Sequence, residues 1–143
     1  MKQSWSRRKL DDLIRGVSWG RQIVGRLKTD GVADTKGLRK GCGYTCAGRN
    51  LRLHKKFVLW LGVNQEAWRD QGITPLWIES TFSAVEGGVG KVKKLFDDVH
   101  ERGPWLHIPI RLTARVDRDR VIDNAVRQVH SIAKRLLEAF PGE

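Results

Sequence analysis

Apolar residues recur along the chain with two different periods, and the switches between them mark the elements. In residues 7–28, RRKLDDLIRGVSWGRQIVGRLK, Leu10, Leu13, Ile14, Val17, Val24 and Leu27 share one face at helical spacing. Arg8, Arg15, Gln22 and Arg26 line the opposite face. This predicts an N-terminal helix over 7–28, capped by Ser4 or Ser6. Gly16, Gly20 and Gly25 each cost ~1 kcal/mol relative to Ala, which would admit a break near Trp19. The stretch TDGVADTKGLRKGCG, 29–43, has no periodicity and reads as a loop.

Beyond it, GYTCAG and KFVLWLGV read as two strands joined by the basic connection GRNLRLHKK. The nearly continuous apolar run 57–63 fits a central strand covered on both faces. NQEAWRDQG predicts a short helix, with Asn64 as cap and Gly72 as stop. ITPLWIES predicts a strand with Pro75 at its start or at an edge, because proline has no N–H for the ladder. In GGVGKVKKLFDDVHERG, Val89, Val92, Phe96 and Val99 follow helical spacing up to Gly103-Pro104.

WLHIPIRLT then alternates, with Leu106, Ile108, Ile110 and Leu112 on one face and His107, Pro109, Arg111 and Thr113 on the other. It predicts a half-buried strand at or near an edge, given Pro109. The last helix carries Val121, Ile122, Ala125, Val129, Ile132, Ala133, Leu136 and Phe140 as one stripe. Asp117 and Asp119 suit its positive end, and Pro141-Gly142 stops it. The pattern predicts one α+β domain over 1–143, ordered α-β-β-α-β-α-β-α, with sheet and later helices in 43–140. About four strands form a mainly antiparallel sheet with helices on one face.

Composition adds a core and removes a membrane. The chain has 143 residues, 40% apolar, with six Trp, enough for a packed interior. Trp60 and Trp77 read as core and Trp68 as packing for its short helix. Trp5 and Trp105, near segment ends, read as partly exposed. No apolar run reaches the ~18 residues of a spanning helix. The start, MKQSWSRRKLDDLIRG, lacks the apolar region of a signal peptide, so a cytoplasmic location is expected. Cys42 and Cys46 form no CxxC motif, and zinc would need two further ligands, with His54 nearest. Reduced buried thiols and no cofactor are the expectation.

Charge changes the picture most. Lys and Arg number 27 against 16 Asp and Glu, a net charge of +11. From Lys36 to Lys56 the chain carries Lys36, Arg39, Lys40, Arg49, Arg52, Lys55 and Lys56 with no Asp or Glu. Uncompensated cations repel one another, and a polyanion relieves that repulsion. Tyr44 within the run can stack on a base, and His54 belongs to the same segment. Smaller clusters are Arg7, Arg8 and Lys9, then Lys91, Lys93 and Lys94. Arg120, Arg127 and Lys134 repeat every seven residues along the final helix.

Catalytic patterns are poor by comparison. Glu79 has no partner nearby in sequence and reads as the solvent-facing member of its strand. EGGVGKVKK fails the GxxxxGK[ST] phosphate-loop pattern, since Val85 stands where the first glycine belongs and Val92 follows Lys91. Its glycine-rich helix start could still bind one phosphate through free N–H groups. Asp34-Thr35-Lys36 with Asp12 upstream offers part of a metal-nuclease signature, but on a loop and a helix rather than on strands.

The segment VLWLGVNQEAWRDQGITPLWIE, with the later IPIRL and its amphipathic helix, resembles the C-terminal region of bacterial PD-(D/E)XK nuclease-like proteins associated with phage defence. The likeness spans about residues 43–138 and rests on packing residues. It implies a bacterial or phage setting, and carries over no catalytic residue. The leading expectation is a non-enzymatic, basic nucleic-acid-binding module. A second is an adaptor or inhibitor docking on a nucleic-acid-handling protein complex. A third is a small metal-dependent nuclease using Glu79 or Asp34.

Overall fold

A computed structural model of the chain describes residues 7–39, 46–54, 56–83, 87–112 and 118–140. Its elements are α1 (Arg7–Thr29), β1 (Ala33–Asp34), β2 (Cys46–Leu53), β3 (Phe57–Asn64), α2 (Gln65–Gln71), β4 (Leu76–Ser80), α3 (Gly88–Leu95), β5 (His100–Arg102), β6 (Trp105–Pro109) and α4 (Arg118–Ala139). The strands form one six-stranded sheet in the order β1-β2-β3-β4-β6-β5, with every pairing antiparallel. The α+β class with an antiparallel sheet is as expected.

The strand count and element order are not. Two short edge strands, β1 and β5, were hidden in segments read as a loop and as the end of a helix. The supposed connection GRNLRLHKK is mostly strand, and the end of β2 at Leu53 lies close to the start of β3 at Phe57. There the Lys56 N–H donates to the Leu53 carbonyl at 2.9 Å. The predicted break near Trp19 does not occur, since α1 runs unbroken to Thr29.

Packing follows the two-residue period of the strands. Leu51 and Leu53 of β2, Phe57, Leu59, Leu61 and Val63 of β3, Leu76 and Ile78 of β4, and Leu106 and Ile108 of β6 are all buried in one core. They meet Ile23 and Leu27 of α1, Val92 of α3, and Ile122, Ala125, Val129, Ala133 and Leu136 of α4. All eight residues of the predicted α4 stripe are buried. Two polar contacts clamp the helix layer: an ion pair of Arg26 of α1 with Asp123 of α4 at 2.7 Å, and a hydrogen bond between His130 of α4 and Asp30 at 3.0 Å. The Asp123 hydrogen bond pushes the Arg26 pKa further up, so Arg26 stays charged.

Helix α2 is placed by its caps, as the sequence predicts. The Asn64 Oδ1 accepts from the Ala67 N–H at 3.0 Å, and Gly72 closes the helix in the left-handed region at φ 70°. Pro75 directly precedes β4, and Pro109 ends β6 beyond the reach of the three-residue β5.

On the sheet face away from α1 and α4, Gly48 and Gly62 pair directly across β2 and β3. A Cβ on Gly62 would lie 2.4 Å from the Gly48 Cα and 2.7 Å from the Trp60 indole. The glycines thus make room for the Trp60 ring flat against the sheet. We expect Gly62→Ala to destabilise the fold by about 1–3 kcal/mol in urea denaturation. Gly25→Ala, in α1 with nothing within 4 Å of its added methyl, should stabilise it by about 0.5–1 kcal/mol.

Candidate functional site

Strand register turns residues distant in sequence into neighbours. Residues directly paired across antiparallel strands project to the same face. The pairs Asn50 with Trp60, Trp60 with Glu79, Glu79 with His107, and His107 with His100 therefore make one row across five strands. The row lies on the face opposite the helix layer. A neighbouring row on the same face carries Arg52 opposite Val58, and Trp105 opposite Arg102.

At the centre Glu79 has two partners. Its Oε1 accepts from the His107 Nε2 at 2.8 Å, and its Oε2 accepts from the Asn64 Nδ2 at 2.9 Å. The capping bond to Ala67 uses the Asn64 Oδ1, and this leaves the amide N–H to face Glu79. The side chains of His107 and Glu79 are only 6% and 12% exposed. Trp77, fully buried, meets the edges of both His100 and His107, with ring centroids 5.6 and 6.2 Å apart. Its indole N–H donates to the Thr74 carbonyl at 2.7 Å.

Above this network lies a cleft of about 470 Å³, lined by Asn50, Trp60, Asn64, Glu79, Trp105 and His107, with Glu66 and Arg102 at one end. A smaller groove of about 220 Å³ continues from it past Val58 and Phe82, and Glu79 and Trp105 line both. Trp105 is 46% exposed. Arg102 of β5 reaches Glu66 at 3.0 Å and Asp70 at 3.6 Å, holding α2 against the end of the cleft.

The opposite rim is basic. Asn50 Nδ2 donates to the Arg39 carbonyl at 3.0 Å, and Arg52 reaches both Asp34 at 3.1 Å and the Lys36 carbonyl at 3.4 Å. These bonds lay the 35–39 loop along β2, so that Lys36, Arg39 and Arg52 gather beside the cleft. Of the predicted binding residues, these three form the cluster next to the aromatic face.

The other described ones are dispersed. Arg49 pairs with Leu61 and so projects toward the helix-bearing side, the opposite side from Arg52. His54 sits exposed in the β2–β3 turn at φ 49°. Lys56 donates to the Phe140 carbonyl at the end of α4, and Lys91 lies 5.2 Å from the Phe140 ring. Lys93 pairs with Glu101, and Lys94 is exposed on α3. Arg120, Arg127 and Lys134 lie exposed on α4, across the sheet from Glu79. Lys40, Tyr44, Lys55, Cys42 and Trp5 lie outside the described residues, as does the Cys46 side chain.

The reading of Glu79 as a solvent-facing residue is corrected. It is largely buried, and its partner stands 28 residues away in sequence. The signal that could have found it is the pairing of two alternating strands, ITPLWIES and WLHIPIRLT, once both were aligned by their buried residues. Asp34, the other candidate acid, is engaged by Arg52 and by the Lys36 N–H at 3.2 Å. Among the described residues no three His, Cys, Asp or Glu side chains converge as a metal site requires. Among them, too, no helix is long and apolar enough to cross a membrane.

Removing one member of the buried pair strands the other. Glu79→Leu and His107→Leu should each destabilise the protein. The double variant should lose about 1–3 kcal/mol less than the sum of the two, measured by urea denaturation. Strict additivity would mean the two side chains do not support each other.

The chain matches no protein-family model, no curated protein and no solved structure, so the chemistry of the cleft itself must carry the functional reading.

Proposed function

We propose that the protein binds single-stranded nucleic acid across the open face of its sheet, without itself carrying out a reaction. The observation that carries this reading is the joining of two features at one place. A sheet face free of the main helix layer presents the exposed Trp105 beside hydrogen-bonding side chains, with the largely buried Trp60 in the cleft floor. Beside it, the β2 rim gathers Lys36, Arg39 and Arg52. Bases stack on exposed indoles almost regardless of identity, and phosphates follow a row of cations. A strand lying along the rim can keep its phosphates on the basic loop and turn its bases into the cleft.

The net charge of +11 favours such a partner over a neutral one, by raising its concentration at the surface. In this reading the module accompanies DNA-directed or defence machinery in a bacterial or phage setting, as the resemblance of residues 43–138 implies. A duplex fits the cleft poorly, because its bases are already stacked and paired.

The test is binding of short labelled single- and double-stranded oligonucleotides across a salt series. Affinity for single strands should fall steeply with salt, with a slope near −0.7 per phosphate contact. Trp105→Ala, at an exposed position, should weaken binding about tenfold without lowering the melting temperature. Lys36→Glu with Arg39→Glu should weaken it further and flatten the salt slope. Binding that ignores salt, or that is confined to one protein partner, would instead favour the adaptor reading.

A further inference from the structure

Glu79 is an odd residue for a phosphate-binding surface. It places a carboxylate in the floor of the cleft, where a phosphate would be repelled. What it can meet is a hydrogen-bond donor. A carboxylate offers about four acceptor positions. His107 and Asn64 take one on each oxygen and hold the group in a fixed plane. Each oxygen keeps a further acceptor position that a ligand donor can take.

We propose that this cleft is a guanine pocket, in which Glu79 accepts the N1–H and N2–H donors of the base. The inference rests on the single-strand reading above and names the base that the cleft selects. Guanine alone among the common bases presents two adjacent donors on its pairing edge. Adenine and cytosine place an acceptor nitrogen beside their amino group, and uracil or thymine flanks its single N–H with carbonyls. Each of those edges would set a lone pair against the carboxylate.

The rest of the cleft is matched to the same base. Trp105 is open to solvent and free to cover a planar ring, while Trp60, only 8% exposed and packed over Gly48 and Gly62, forms part of the cleft floor. Asn50, anchored through one amide N–H to the Arg39 carbonyl, keeps its second N–H for the guanine O6. The volume of about 470 Å³ falls within the ~300–1,000 Å³ usual for small-ligand sites. The phosphates of the same nucleotide then lie toward Lys36 and Arg39, outside the cleft and away from Glu79.

The test compares three single strands differing only at one central position: guanine, inosine or adenine. Inosine keeps the O6 and N1–H of guanine and lacks the N2 amine. The native protein should bind the guanine strand about tenfold more tightly than the inosine strand, and more tightly still than the adenine strand. In Glu79→Gln the guanine advantage should vanish and affinity for the adenine strand should rise, because the amide oxygen accepts from the adenine N6 amine while the amide N–H replaces the repulsion at adenine N1. Equal binding of all three strands by the native protein overturns the guanine pocket and leaves the single-strand reading standing. Failure to bind any of them overturns both. A guanine preference that survives in folded Glu79→Gln assigns the selectivity to another residue and overturns the role given to Glu79. The native comparison of guanine with inosine needs no variant, so it remains decisive if Glu79→Gln fails to fold.

Discussion

Alternate residues of β3, β4 and β6 must lie under α1 and α4, and that requirement sets the register of the whole sheet. Each Leu, Ile or Val buried there contributes about 1.5–3 kcal/mol. A slip of one residue in β4 would expose Leu76 and Ile78 and drive Trp77 and Glu79 into the core. The cost would reach several kcal/mol before any change at the cleft was counted. Burial on one face therefore dictates, with no further instruction, that Glu79 stands between Trp60 and His107 on the other. The polar row is a by-product of apolar packing, and its geometry is as rigid as the core beneath it.

The same economy governs the charges. Several cations that look surplus in the sequence have structural work. Lys56 satisfies a carbonyl at the end of α4, where the helix dipole also favours a positive charge. Arg26 ties α1 to α4, Lys93 ties α3 to β5, and Arg102 ties β5 to α2. The partners are exposed, so each pair adds little stability and mainly fixes one element against another. With Lys56 so engaged and Arg49 turned to the other face, the described cations of the run from Lys36 to Lys56 reduce to a group beside the cleft, Lys36, Arg39 and Arg52. Within it Arg52 is shared with Asp34, so the positive field there is real but moderated.

Legibility in the sequence followed the range of the forces involved. The stripe of α4, the Asn64 cap and the Gly72 stop are local, and each reads correctly from its own neighbours. The apolar run of β3 is recognisable because its hidden face needs Leu59, Leu61 and Val63 while its open face needs Trp60. β1 and β5, at two and three residues, are too short for any period to register, and only pairing with β2 and β6 makes them strands. Only the start of β2 reads as a strand, in GYTCAG; Arg49, Asn50 and Arg52 make the rest look like a connection, although a strand next to the sheet edge tolerates such residues. The Glu79–His107 contact depends on the pairing of β4 with β6, which neither segment encodes alone.

The buried network is hard to explain as a stabilising device. Taking a carboxyl group out of water costs several kcal/mol, and one imidazole and one amide recover only part of it. Apolar residues at positions 79 and 107, packed beside Trp60 and Trp77, would hold the sheet at least as well. A group kept against that cost is better explained by what it does for a ligand. Proton transfer at a phosphate needs an acid and a base on opposite sides, because the attacking and leaving oxygens are in line. Glu79 and His107 share one hydrogen bond and so stand on the same side. Their arrangement holds one carboxylate still, in a fixed plane, beside aromatic rings, and that is the requirement for reading a hydrogen-bonding edge.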